Sequence, residues 1–293
     1  MMFNDEMIYK IRNKKYAIIK ISDINAIKNM IYNGQIWLRH PVYFQKEFYE
    51  KQDDTRGDNL DTIWYIHIVD DNKFGGKTIL DKYRSDDSYR VICFYMLEIN
   101  GKGFFQTPDE RMRRFGEFFT FVNANKISSI LNDKIEKNAP NSMCDDYGVW
   151  MGSIAYVTEK KSCEATSFTK RKRYSYQNEL RISVNLLENV KAVIEDEDIC
   201  QINEKLLTLL NEQESLAKEY RASHEEQLLL KTIEKNKDYE ETYKKYICLK
   251  SSKEQFIMKE DGFDNCFLGC YPIDELYQQG KSIYDFKEID INE

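Results

Sequence analysis

The residues best suited to chemistry gather in one stretch of this chain, Thr169 to Val184, TKRKRYSYQNELRISV. A basic run, Lys170, Arg171, Lys172 and Arg173, leads into Tyr174 and Tyr176. Cationic side chains contact phosphates and tyrosine rings stack on bases, so with Arg111, Arg113 and Arg114 this run is a candidate nucleic-acid patch. The same run also fits a solvated loop. Beyond it, Glu179, Arg181 and Ser183 alternate with Leu180, Ile182 and Val184. That period belongs to a strand with one polar and one apolar face. Glu179 and Arg181 then project from the same side about 6.5–7 Å apart, where they can simply pair across water. Set in a concave, partly dry hollow with guanidinium groups close by, the same carboxylate becomes a candidate catalytic group.

Other candidates are weaker. Asp53 to Asp61 forms a polar loop in which Arg56 and Asp58 either face solvent or fix the loop beside a cleft. A metal-dependent nuclease would use Asp58, Asp61 and Glu179 as ligands, but no spacing groups them. Gly75-Gly76-Lys77-Thr78 ends like a phosphate loop, yet the position five before Gly76 is Asp71 rather than glycine, so it reads as a hairpin turn. Cys266 and Cys270 are four apart, and the nearest histidine, His224, is far upstream; no metal is expected.

The elements that must position these residues follow from the patterning. Two short strands with a turn at Asn13-Lys14 precede a helix capped by Ser22 or Asp23, with Ile24, Ile27 and Ile31 on one face and Gly34 as its left-handed end. Gln35 to Arg39 is a short strand stopped by Pro41, and Tyr43-Phe44 begin a short helix. Strands are expected at 64–69, 89–98, 117–122 and 150–157, the second buried on both faces with Cys93 as a plain core residue. Thr107-Pro108-Asp109-Glu110 reads as a helix start, with Thr107 capping and Pro108 at the first position. Residues 127–135 form a further helix. From 196 to 246 there is neither Pro nor Gly. That segment reads as two long antiparallel helices breaking near Ser223-His224, with a stripe of Leu206, Leu207, Leu210, Ala217, Tyr220 and Leu228. Strands at 254–258 and 265–270 and a helix from Pro272 to Gly280 close the chain.

The sequence therefore predicts an α+β fold: a mixed, mostly antiparallel sheet core with flanking helices and an inserted long helical hairpin. Three regions are expected: a core domain at 1–190, the hairpin insertion at 191–250, and a strand–helix return to the core at 251–293. With 293 residues, 42% of them hydrophobic, a sizeable core forms without staples. The net charge of −7 disfavours a free-standing nucleic-acid binder, although a local basic patch can override it. No apolar run reaches the length of a membrane span. The start, MMFNDEMIYK, has no secretory pattern, and seven irregularly spaced cysteines suit reduced thiols. A cytoplasmic location is expected.

Several landmarks in order, NGQIWL, VYFQKEFYE with RGDNLD, YRVICFYM, RRFGEFF, SIAYV and FTKRKRYSYQNELRI, resemble a diffuse family of uncharacterised bacterial and phage proteins carried on mobile elements near defence genes. They span about residues 7–185. The heavy use of Lys, Asn, Ile and Tyr also suits an AT-rich bacterial or phage gene. A fainter likeness is to ADP-ribosyltransferases: Arg12 on an early strand, a helix ending at Gly34, and Glu179 on a late strand follow that order. This resemblance implies NAD as substrate, with Glu179 as the catalytic carboxylate that stabilises an oxocarbenium ion. Arg12, Tyr43, Arg56 and Arg181 would hold the pyrophosphate and the ring. Gln177 stands where many such enzymes carry a second acid. Three function classes remain in view: an ADP-ribosyltransferase-like effector acting on a macromolecular target in phage–host conflict, a nucleic-acid-binding or cleaving defence protein, and a non-catalytic module whose 196–246 helices self-associate or dock a partner.

Overall fold

The computed structural model describes residues 7–44, 46, 63–71, 76–83, 89–138, 148–158, 163–164, 166–185, 197–253, 256–259, 262–282 and 284–291. In chain order the strands are β1 (Ile8–Ile11), β2 (Lys14–Ser22), β3 (Gln35–Leu38), β4 (Ile63–Asp71), β5 (Gly76–Tyr83), β6 (Tyr89–Ile99), β7 (Phe118–Val122), β8 (Val149–Ser153), β9 (Ala155–Val157), β10 (Cys163–Glu164), β11 (Thr169–Arg171), β12 (Glu179–Asn185), β13 (Phe256–Lys259) and β14 (Phe267–Pro272). The helices are α1 (Ile24–Asn33), α2 (Ala124–Asn138), α3 (Glu197–Ser223) and α4 (Glu226–Lys253). The fold is α+β, and among the described residues its strand pairs are antiparallel except for β9 with β11.

A seven-stranded sheet in the order β14-β7-β2-β6-β12-β8 forms the centre, with β1 also paired to β2. β1 and β7 share one flank of β2: β1 pairs along Lys14–Ala17 and β7 along Ile19–Ser22. Alternation along the strands sends two sets of side chains to opposite faces. Ile18, Ile92, Phe94, Leu180, Ile182 and Val184 pack on one side beneath Met30 of α1, Ile127 and Leu131 of α2, and Ile36 and Leu38 of β3. Each such aliphatic side chain contributes about 1.5–3 kcal/mol by leaving water. Ala17, Ile19, Leu97, Phe119 and Phe121 form the other side with Met112, Tyr271 and Leu276.

Local signals explain the helix between β2 and β3. The Asp23 carboxylate accepts from the Ala26 amide at 2.8 Å, so Asp23 is the cap. Gly34 closes α1 at φ 56, where a side chain would be strained. At 107–115 the sequence expectation needs correcting. Asp109, not Thr107, is the cap, and a 3-10 turn Glu110–Phe115 follows, because Asp109 accepts from the Arg111 amide at 3.0 Å. The expected strand at 150–157 is two strands. At Ile154 the chain leaves the edge of β12 and joins β11, with Ile154 N–H donating to Glu179 O and Ala155 N–H to Phe168 O.

The hairpin α3–α4 breaks at His224, which takes φ 55 and donates its amide to Tyr220 O at 2.7 Å. Its seam holds Leu206, Leu209, Gln213 and Ala217, with Leu229 from α4. Leu207, expected in the stripe, is instead half exposed, because the i, i+3, i+4 row passes through Leu209. After the hairpin the chain returns to the core: β13 pairs with β3 and β14 with β7.

Candidate functional site

The central sheet contains a fork. β2 and β6 pair from Lys15↔Ile99 to Ile19↔Tyr95, yet β2 continues to Ser22 and β6 begins at Tyr89. Past Ile19 the strands part, β2 following β7 and β6 following β12. Backbone groups freed by the split must find other partners. Lys20 Nζ donates to Cys93 O at 2.8 Å, and Arg39 and Val91 exchange amide bonds of 3.0 and 2.8 Å.

A cavity of about 560 Å³ occupies the fork, within the usual range for small-ligand sites. Ile92 and Phe94 line it from one face of the sheet, and Cys93, Tyr95 and Glu179 from the other. Lys20, Asp23 and Asn25 line the β2–α1 side; Trp37, Arg39, Tyr43 and Phe44 come from β3 and the turn after it. Lys170 and Gln177 complete the wall near Glu179. The Arg39 guanidinium lies 4.0 Å from the Tyr43 ring centre, a cation–π stack at the lining.

Glu179 is 4% exposed and clamped on both oxygens. Lys170 Nζ reaches Oε2 at 2.6 Å and Arg181 Nε reaches Oε1 at 2.8 Å. Lys170 also donates to Gln177 Oε1 at 2.9 Å, and Arg181 to Ser167 O at 2.6 Å. Burial pushes the Glu179 carboxyl up, but Arg181, Lys170 and a hydrogen bond from Cys93 outweigh it and hold it down at about 2. The carboxylate is therefore ionised at neutral pH. Burial and the neighbouring Glu179 charge push the Cys93 thiol up to about 12, so it stays a thiol and a donor. Cys93 is thus part of the cavity wall rather than a plain core residue.

The structure redistributes the sequence candidates. Glu179 and Tyr43 meet in the cavity, and Arg181 stands behind Glu179, fully buried as its ion-pair partner. Arg12 sits exposed on the β1–β2 turn at φ 54 and is not among the described cavity residues. Arg56 lies outside the described residues. The basic run is not a continuous surface patch. Lys170 and Arg171 are buried in β11, and only Lys172 and Arg173 are exposed. Tyr174 is buried and accepts from Arg173 at 3.1 Å, while Tyr176 is covered by the Arg111 guanidinium 3.7 Å from its ring centre. Lys170 is buried against the Glu179 carboxylate because an inward charge needs a partner. Arg113 is likewise engaged, by Glu110 and Asp274.

Sequence reasoning missed Lys20 and Arg39, whereas Gln177, noted beside Glu179, does line the cavity. Lys20 is the lone cation within the apolar YAIIKIS of β2, and Arg39 follows Trp37 on the face opposite Ile36 and Leu38; both were visible as polar intrusions. Among the described residues no three His, Cys, Asp or Glu side chains form a group suited to a metal ion. No helix among them is long and apolar enough to cross a membrane. No protein-family model matches the chain, and neither does any curated protein or solved structure.

Proposed function

We propose that the fork cavity is a nucleotide site whose ligand is NAD, and that the protein transfers ADP-ribose from it to a macromolecular target, protein or nucleic acid, in phage–host conflict. The observation that carries this reading is an ionised, buried carboxylate, Glu179, in the wall of a cavity that Arg39 and Tyr43 also line. An aromatic ring and a guanidinium suit the flat ring and the phosphates of a dinucleotide. In the transfer the bond between ribose C1′ and nicotinamide breaks, and its electron pair leaves with neutral nicotinamide. The acceptor's nucleophile then bonds to C1′ and loses a proton. Glu179 supplies negative charge beside the oxocarbenium-like transition state. Held near 2, its carboxyl cannot act as a general acid at neutral pH. Lys170, Arg181 and Cys93 occupy three of the carboxylate's roughly four acceptor sites, which leaves capacity for one ribose hydroxyl. Arg39 takes the phosphate role that the sequence resemblance assigned to Arg12.

The test is calorimetric titration with NAD, together with release of nicotinamide in cell lysate. Wild type should bind and release. Tyr43→Ala, at a half-buried wall position, should weaken NAD binding about tenfold, the loss of one aromatic contact. Glu179→Gln should abolish release. A folded wild-type protein that shows no NAD binding at millimolar concentration removes the proposal.

A further inference from the structure

The turn that carries Tyr43 and Phe44 into the cavity is anchored from behind by the helical hairpin. Val42, 1% exposed, sits in one cluster with Leu206 and Leu209 of α3 and Tyr239, Tyr243 and Tyr246 of α4. The next two residues line the cavity, and Phe44 lies about 6 Å from both Lys170 Nζ and the Arg181 guanidinium. The turn itself is stiff. Val42 N–H donates to the buried His40 ring at 3.1 Å, Tyr43 N–H to His40 O at 2.9 Å and Phe44 N–H to Pro41 O at 2.9 Å. A stiff turn with one side chain locked in the hairpin and two in the cavity wall moves as a unit, because close-packed contacts transmit displacement.

We infer that Val42 is a positioning residue for the cavity: the α3–α4 hairpin holds it and thereby sets where Tyr43 and Phe44 stand. The hairpin is then a structural support of the site and not merely an appendage. Coupling of this kind is reciprocal, so occupancy of the cavity steadies the base of the hairpin. The inference rests on the ligand-site reading for that second half only; the first half concerns the protein alone.

Amide hydrogen exchange tests it on the full chain. Val42→Ala and, independently, Leu209→Ala should each speed exchange at Tyr43 and Phe44 about tenfold while Ile19 and Leu97 of the central sheet keep their protection. Val42→Ile should restore slow exchange. With NAD added, wild type should exchange more slowly at Leu206 and Leu209. Unchanged exchange at Tyr43 and Phe44 in both Ala variants overturns the inference. An equal rise at Ile19 and Leu97 overturns it too, since it would report only a general loss of stability. Absence of NAD binding removes the functional proposal and leaves the exchange comparison in the variants to decide this one.

Discussion

Glu179 ties the stability of the fold to the wall of the cavity. Its charge is buried, so Lys170 and Arg181 must stay with it, and removing the carboxylate strands both cations. Glu179→Gln should lower stability at pH 7 by about 3–5 kcal/mol, the range for breaking a buried pair. The pH dependence has a definite sign. The carboxyl titrates near 2 in the folded protein and near 4.5 when unperturbed. A depressed folded value contributes stability that is complete above the unfolded value and is lost as pH falls through the folded one. The gap between wild type and Glu179→Gln should therefore be full at neutral pH and shrink between about 4.5 and 2. Denaturant titrations across that window measure it; a gap that does not change with pH would mean the carboxylate is not held by its neighbours.

Among the elements, the fork depends on a close approach that only glycine permits. Gly116 precedes β7, lines the cavity and abuts the end of β2; a Cβ there would come within 2.3 Å of the Ser22 carbonyl. Gly116→Ala should cost about 3 kcal/mol, the upper range for overpacking, because the obstacle is backbone. It should also alter the cavity wall, so thermal unfolding and ligand titration on the same variant check both effects. Reading elements from sequence worked where the signal was local. Asp23 and Gly34 bracket α1, and the alternation of Glu179 to Val184 gives β12 with its polar face. It failed where position depends on a distant strand. The burial of Lys170 and Arg171 follows from parallel pairing with β9, and the fork arises because β2 and β6 part beyond Ile19 while each stays paired with the strand on its other flank. Neither pairing leaves a mark in nearby residues, so Arg39 could not be linked to Glu179 from sequence.

Across the whole molecule, the fold class was legible because each strand and helix signal was consistent with a sheet covered by helices. The order of the strands was not, since it is set by contacts far apart in the chain. Phe267 pairs with Val122, so β14 borders β7 only after the entire hairpin has been made. During synthesis at about 5–20 residues per second, β7 waits on the order of ten seconds for that partner. Throughout that interval an apolar strand carries unsatisfied amides and carbonyls along one border, which invites pairing with other nascent chains. A shortened protein stopped at Met258 should accordingly form soluble aggregates that scatter light, whereas the full-length chain stays dispersed. β14 thus closes the β7 border, and the timing of its arrival sets how long that border stands open on the growing polypeptide.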